Sequence, residues 1–327
     1  MDSQPHAVDV PPELAGERAD RAAALLFSGY SRAVLTRWIR QGALTVDGVA
    51  TEPDRKMKGG ERLALAADAD AELSGTDSPA GDWAVPQPVD FSIVHEDEHC
   101  LVVDKPAGIA VHPGAGNPDG TLVNGLLHHR PDLGRLPRAG IVHRIDMHTS
   151  GLLVVAATPA AQRVLAGAIA AHTVGRRYLG VAEGEMIAGR TIDKPIGRDR
   201  RNRTRQQVRE DGRRAVTRVR VRARYRAHTA IEAALETGRT HQIRVHMASI
   251  GHPLVGDRRY GARGRLPRAP HPEVILTLRA FTRQALHAAA LEFDHPASGA
   301  RCSFEAPPPR DLAELVAVLQ QDRESHG

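Results

Sequence analysis

The chain has 327 residues, 41% of them hydrophobic, with a formal net charge of +5 and a pI near 9.6. That length allows two domains, one with a sizeable core. The basic balance points to a polyanionic partner and says nothing of fold. Only four of the 44 basic residues are lysines (Lys56, Lys58, Lys105 and Lys194). The planar arginine fork suits phosphate contacts and base stacking, although a GC-rich genome would leave the same bias. Cys100 and Cys302 are far apart, so neither a zinc site nor a disulfide framework is supported, and a reducing cytoplasm is expected. The N-terminus lacks the basic start and apolar stretch of a signal peptide. No apolar run reaches about 18 residues, so no membrane partner is expected.

In chain order, residues 1–13 read as a flexible, Pro-containing lead, and residues 14–72 as a small module. Arg21 to Phe27 is a short helix. Ser31 can cap a second helix, Arg32 to Gln41, on which Val34, Leu35, Trp38 and Ile39 form an apolar stripe. Arg32, Arg37 and Arg40 lie largely off that stripe, and Gly42 ends the helix. Strands follow at 43–46 and 62–65, with Asp47-Gly48 as a hairpin turn. Residues 73–88 are Ala-, Asp-, Ser-, Gly- and Pro-rich and read as a linker.

From residue 89 to 327, β-branched runs alternate with helical stretches. Strands are expected at 100–104 and 177–182, and helices at 121–129 and 160–171. Arg218 to Arg226 alternates arginine with Val219, Val221, Ala223 and Tyr225, so the strand has one apolar and one cationic face. Five like charges on one face repel, which favours a polyanion contact over simple solvation. Another strand follows at 231–235, then a loop entering a helix between 238 and 250. The mixture predicts an α+β domain on a mixed, largely antiparallel sheet.

Three segments carry candidate chemistry. In Gly140 to Val155, Asp146 sits between His143-Arg144 and a Thr149-Ser150-Gly151 turn, before an apolar run that would pin the turn. The others are Val174 to Gly180 and Glu236 to Met247. His143-Arg144-Ile145-Asp146 lacks the other parts of a kinase site. No phosphate-binding glycine loop occurs, so no nucleotide cofactor is expected. The histidine pairs 143/148 and 241/246 lack the i, i+4 spacing of a helical zinc site, so no metal is expected. Alone, Asp146 could be a turn residue bonding its own backbone.

Together the segments resemble the RluA/RluD family of RNA pseudouridine synthases. The carrying motifs are His143 to Leu152, Arg176-Arg177-Tyr178 and Gly238 to His246. Ile145 stands where Leu is usual in the family. Residues 14–72 resemble an S4 RNA-binding domain through Arg18 to Arg21, Ser31 to Val49 and Lys56 to Glu61. Within the family, Val111 to Thr121, Pro137 to Arg144 and His252 to Asp257 look like the enzymes of large-subunit ribosomal RNA.

The resemblance implies a cofactor-free isomerase that flips a uridine out of its stack, at a cost of a few kcal/mol. It makes Asp146 the catalytic carboxylate, Arg244 its guanidinium partner and Tyr178 the ring against the flipped uracil. Arg144 would fill the space left in the RNA, and the run after Gly151 would be a dry wall. A glycosidase needs two carboxylates to activate water and protonate the leaving group, whereas a reaction that retains the base can rely on one. Lys105, His112, His143 and Thr149 are further expected RNA contacts, with His143 doubling as motif scaffold. In the S4-like module, Arg32, Arg37, Arg40, Lys56 and Lys58 would meet phosphates. The expected substrate is 23S ribosomal RNA at the helix 69 stem-loop, bound by a monomer. The alternatives are a ribosome-assembly factor with secondary activity, or a synthase for another rRNA site or tRNA.

Overall fold

The computed structural model describes residues 7–27, 30, 32–66, 85–114, 116–202, 204–261 and 264–326, with backbone alone at 32 and 33. Ser31, the side chain of Arg32 and residues 73–84 of the expected linker lie outside the described residues. The chain divides into two compact units. The first gathers residues 1–89, 112–141 and 156–162, and the second 90–111, 142–155 and 163–327. The second unit is thus discontinuous in sequence, unlike the single boundary near residue 89 that composition suggests.

In the first unit, β1 (Ala7–Asp9), β2 (Leu44–Val46) and β3 (Arg62–Leu65) form an antiparallel sheet in the order β1-β3-β2. Helices α1 (Ala19–Leu26) and α2 (Arg32–Gln41) precede β2. The α2 stripe is buried as its spacing predicts: Leu35, Trp38 and Ile39 join Phe27, Leu44 and Leu63 in one core. The flexible lead needs correcting from residue 7 onward. Val8 pairs with Leu63, and the Val10 N–H donates to the Glu61 carbonyl, so this segment completes the sheet. Asp47 and Gly48 both take left-handed backbone (φ 53° and 74°), as a two-residue hairpin turn requires. That turn closes β2 onto Val49, and β3 pairs with β2 only after a longer loop. Helix α3 (Leu122–His129) also belongs here. Asn124 Oδ1 accepts the Thr121 N–H at 2.9 Å and so pins the first turn.

The second unit is built on a nine-stranded sheet. Its strands are β4 (Ser92–Glu96), β5 (Cys100–Lys105), β6 (Ser150–Ala156), β7 (Gly175–Glu183), β8 (Arg190–Asp193), β11 (Val216–Arg224), β12 (His228–Leu235), β13 (Leu286–Asp294) and β14 (Arg301–Glu305). The order is β4-β5-β6-β13-β7-β12-β11-β8, with β14 also paired to β13. β6 runs parallel to β13, while the β7, β11, β12 and β14 pairings are antiparallel, so the sheet is mixed and largely antiparallel. A separate hairpin joins β9 (Ile196–Arg198) and β10 (Gln206–Val208). The helices are α4 (Pro159–Ala170), which begins in the first unit, α5 (Gln242–Ser249), α6 (Pro272–Ala280) and α7 (Arg310–Glu324). Leu312, Leu315 and Leu319 of α7 pack with Val181 and Phe281.

The cationic face around β11 does not stand free. Arg218 pairs with Glu236, Arg222 with Glu232 and Arg226 with Asp322, and Arg224 donates to the Met186 carbonyl. In the sheet register Tyr178 lies beside Ala233, which lies beside Val219. Arg218 and Arg220 therefore project from the opposite face to Tyr178. Acidic neighbours relieve most of the repulsion that favoured a polyanion contact.

Candidate active site

From Val142 to Asp146 burial alternates from one residue to the next. His143 and Ile145 turn inward and are buried; Arg144 is exposed and Asp146 half-buried. A turn follows, closed by the Thr149 N–H donating to the Asp146 carbonyl at 3.0 Å. Three features pin it. β6, buried along its whole length, begins at Ser150. Gly151 (φ 116°) lies against β13 so closely that a Cβ there would stand 2.3 Å from the Ala288 carbonyl oxygen. Finally, the Lys105 ammonium, with no exposed surface, donates to the carbonyls of Pro106, Ile109 and Met147 at 2.8, 2.9 and 3.0 Å. Burial pulls Lys105 down to about 7, with the Asp146 charge opposing.

Opposite the turn, α5 presents Arg244. Its Nη1 donates to Asp146 Oδ2 at 2.9 Å. Its Nε and Nη2 donate to Oδ2 and Oδ1 of Asp257 at 2.7 and 2.9 Å, a two-point grip that fixes the guanidinium plane. Asp257 Oδ1 also accepts the N–H groups of Arg259 and Tyr260. Burial works to raise Asp257, but Arg244 and those N–H groups hold it below the usual carboxylate range. The rest of the Gly238 to His246 motif is largely scaffold. Gln242 takes Thr237 and the Arg239 N–H on its oxygen and gives its amide protons to Val216 and Thr217. His246 bridges Thr217 and the Lys194 carbonyl. Each would leave a buried polar group unpaired if replaced by an apolar residue.

Tyr178 on β7 is buried, in register with Ala288, the neighbour of Gly151 across β13. Burial, with the Asp146 charge adding and Arg176 opposing, pushes its phenol up to about 12, so it is a neutral ring. Asp146, Arg144, His241 and Arg244 line an open cleft of about 1270 Å³. On its rim Arg283 binds Asp311 through Nε and Nη2 at 2.6 and 2.8 Å, and its Nη1 reaches the His148 carbonyl at 3.4 Å. An acid held against a doubly anchored guanidinium in an open cleft can serve as nucleophile or base to a bound substrate.

Residues 99–249 match the family model described as RNA pseudouridylate synthase. The chain is 49% identical over 319 residues to ribosomal large subunit pseudouridine synthase D of Pseudomonas aeruginosa, covering 98% of this chain and 97% of that one. The chain belongs to the RNA pseudouridine synthases. The synthase is also 47% identical to the Xanthomonas campestris protein of the same name (98% and 95% covered) and 46% identical to that of Escherichia coli K12 (95% and 93% covered). Among solved structures, human RNA pseudouridylate synthase domain containing 1 aligns with TM-score 0.54 at 26% identity, over 70% of this chain and 87% of that one.

Three expected RNA contacts of the synthase require correction. Lys105 is sealed beneath the turn and meets three carbonyls, so it cannot reach RNA from there. His143 is buried: its Nε2 accepts the Val154 N–H at 3.1 Å, and burial, aided by Arg176, pushes it down to about 3. It is a scaffold residue. Thr149 is likewise buried, its hydroxyl accepting from Gln284. Half-buried His112 belongs to the first unit, as do Arg37, exposed Arg40, exposed Lys56 (bonded to the Gly16 carbonyl) and exposed Lys58. No helix among the described residues is long and apolar enough to cross a membrane. Among them one group has metal-ligand spacing, His95, Asp97 and Cys100, with ligand atoms within 4.8 Å. Its donors are otherwise engaged. Asp97 Oδ2 is shared by His95 and His295, and His295 Nδ1 takes two backbone N–H groups, which leaves its proton on the Nε2 facing Asp97. Burial also pushes the Cys100 thiol up to about 12.

Sequence reasoning passed over Asp257, Arg283, His241 and Tyr260 as parts of the site. Asp257 and Tyr260 lie beyond the three motifs, and only the His252 to Asp257 likeness pointed toward them.

Proposed function

We propose that the chain isomerises uridines of large-subunit ribosomal RNA to pseudouridine, at the helix 69 stem-loop, acting in the cytoplasm with Asp146 as the catalytic carboxylate. The observation that carries this is the Asp146–Arg244–Asp257 array at an open cleft. Arg244 holds one carboxylate oxygen and leaves Oδ1 directed toward the cleft residue His241. Tyr178 is the ring on which the extruded uracil rests, and exposed Arg144, two residues before Asp146, enters the vacated place in the RNA stack. No second carboxylate is needed, because the base never leaves the site and no water need be activated. The S4-like module supplies phosphate contacts through Arg37, Arg40, Lys56 and Lys58. The names of the relatives support the choice of RNA.

The test is Asp146→Asn, assayed by tritium release from RNA carrying [5-³H]uridine. The variant should bind the RNA as the wild type does and release no tritium. Release at the wild-type rate would remove Asp146 from the reaction. Pseudouridine mapping of ribosomal RNA from cells lacking the gene identifies the target, and unchanged helix 69 would refute that site. A binding-only assembly factor would be indicated if the Asp146 variant restored growth in full.

A further inference from the structure

We propose that His241 is a further substrate-contacting residue of this site, a proton donor locked in one tautomer by Tyr260, which acts as its positioning residue. The proposal rests on the assignment of the reacting base to the cleft beside Asp146. The geometry starts at a group whose role is unambiguous. The Gln206 backbone N–H can only donate, and it donates to Tyr260 Oη at 2.8 Å. The phenol oxygen is thereby engaged as an acceptor, and we assign its own proton to the remaining partner, His241 Nδ1, at 2.7 Å. Nδ1 accepts, so the neutral imidazole carries its proton on Nε2. That Nε2 faces Asp146 Oδ1 at 3.9 Å. The distance is too long for a hydrogen bond, so the proton is directed at the carboxylate without being consumed by it.

Two further observations indicate that this placement is maintained. His241 occupies the N-cap of α5 with left-handed backbone (φ 58°, ψ 21°), a conformation costly for a residue with a Cβ. The surroundings must therefore hold it there. The Tyr260 ring is itself gripped: the guanidinium carbons of Arg244 and Arg205 lie 5.0 and 5.2 Å from its centroid. Arg244 thus positions Asp146 by hydrogen bond and His241 through Tyr260. Burial, with Arg244 and Arg259, lowers His241 below its ordinary value against the pull of Asp146 and Asp257, which keeps the ring neutral. A neutral ring with Nδ1 occupied and a proton on Nε2 cannot act as a base toward the cleft. It can only donate, to an oxygen of the bound uridine beside Asp146 Oδ1.

The experiment uses the full chain and a transcript of the rRNA target carrying [5-³H]uridine, under single-turnover conditions. His241→Ala should slow tritium release roughly 10- to 100-fold with RNA affinity unchanged. His241→Gln, which restores an N–H donor at similar reach, should recover most of the loss. Tyr260→Phe should slow release by less, about 3- to 10-fold. In ¹⁵N spectra of histidine-labelled protein, the signal missing from His241→Gln should show a protonated Nε2 and a bare Nδ1, and Tyr260→Phe should blur that pattern. A His241→Ala rate within twofold of wild type would overturn the proposal, as would Gln no better than Ala, or a wild-type ring protonated at Nδ1. Wild-type turnover by Asp146→Asn would instead refute the assignment of the site, and the tautomer measurement reads the Tyr260 lock independently of it.

Discussion

Removing the Asp257 carboxylate should weaken both fold and turnover, because it alone fixes the Arg244 plane. In Asp257→Asn, Oδ1 can still serve the N–H groups of Arg259 and Tyr260 and Arg244 Nη2. The amide nitrogen then replaces the Oδ2 that Arg244 Nε approaches at 2.7 Å, so donor faces donor. Flipping the amide is worse, because three donors would face the NH₂ group. The loss is one charge-assisted hydrogen bond, about 1.5–3 kcal/mol, plus a buried guanidinium N–H left unpaired, about 1–3 kcal/mol. Together these come to about 2.5–6 kcal/mol, which brackets the roughly 3–5 kcal/mol for breaking a buried ion pair. Arg244 would keep its Nη1 bond to Asp146 and its Nη2 bond to Oδ1, but would lose the two-point grip that fixes its plane and could pivot. A shift near 1 Å at the reacting groups costs on the order of 10²-fold in rate. Urea unfolding followed by circular dichroism reads the first quantity, and single-turnover tritium release the second. Acid provides a third signature. Asp257 is depressed in the folded state, so its contribution is present above the unfolded value of 3.8 and is lost as pH falls through the lower folded value. That component should vanish in the variant. A variant within about 1 kcal/mol of wild-type stability that also turns over normally would refute the view that Asp257 holds Arg244.

Lys105→Met should cost about 2–4 kcal/mol, since three carbonyls lose their donor while one buried charge is removed; an unchanged urea midpoint would contradict the clamp. His143 is held near 3 against an ordinary 6.5, so unfolding takes up a proton between those values and stability should fall as pH drops through that window. His143→Gln should flatten this slope, and an identical pH dependence in variant and wild type would exclude His143 as a source. Gly151→Ala must place a Cβ 2.3 Å from the Ala288 carbonyl oxygen at a φ of 116°. It should lower the melting temperature by more than any exposed Gly→Ala change, and a neutral effect would show that β6 and β13 can separate.

Local chemistry was enough for much of this protein. The α2 stripe predicted the buried face of its helix, because a 3.6-residue period survives any packing. Asp47-Gly48 predicted its left-handed turn, since two adjacent positive φ values suit few residue pairs. The apolar run after Gly151 predicted a fully buried strand. Asp146, Tyr178 and Arg244 were named from motifs, but only folding places Asp146 and Arg244, 98 residues apart, in hydrogen-bond contact. Accessibility and pairing belonged to the tertiary structure alone. Lys105 and the β11 arginines look like RNA contacts in sequence, because a charge does not announce which carbonyl or carboxylate will face it. The same holds for the Asp257 grip on Arg244 and the Tyr260 lock on His241: these partners lie 13 and 19 residues apart and meet only because α5 and the loop after it fold back on the site. Periodicity and turn chemistry are properties of neighbours along the chain, whereas proton direction and the anchoring of a charge depend on neighbours in space.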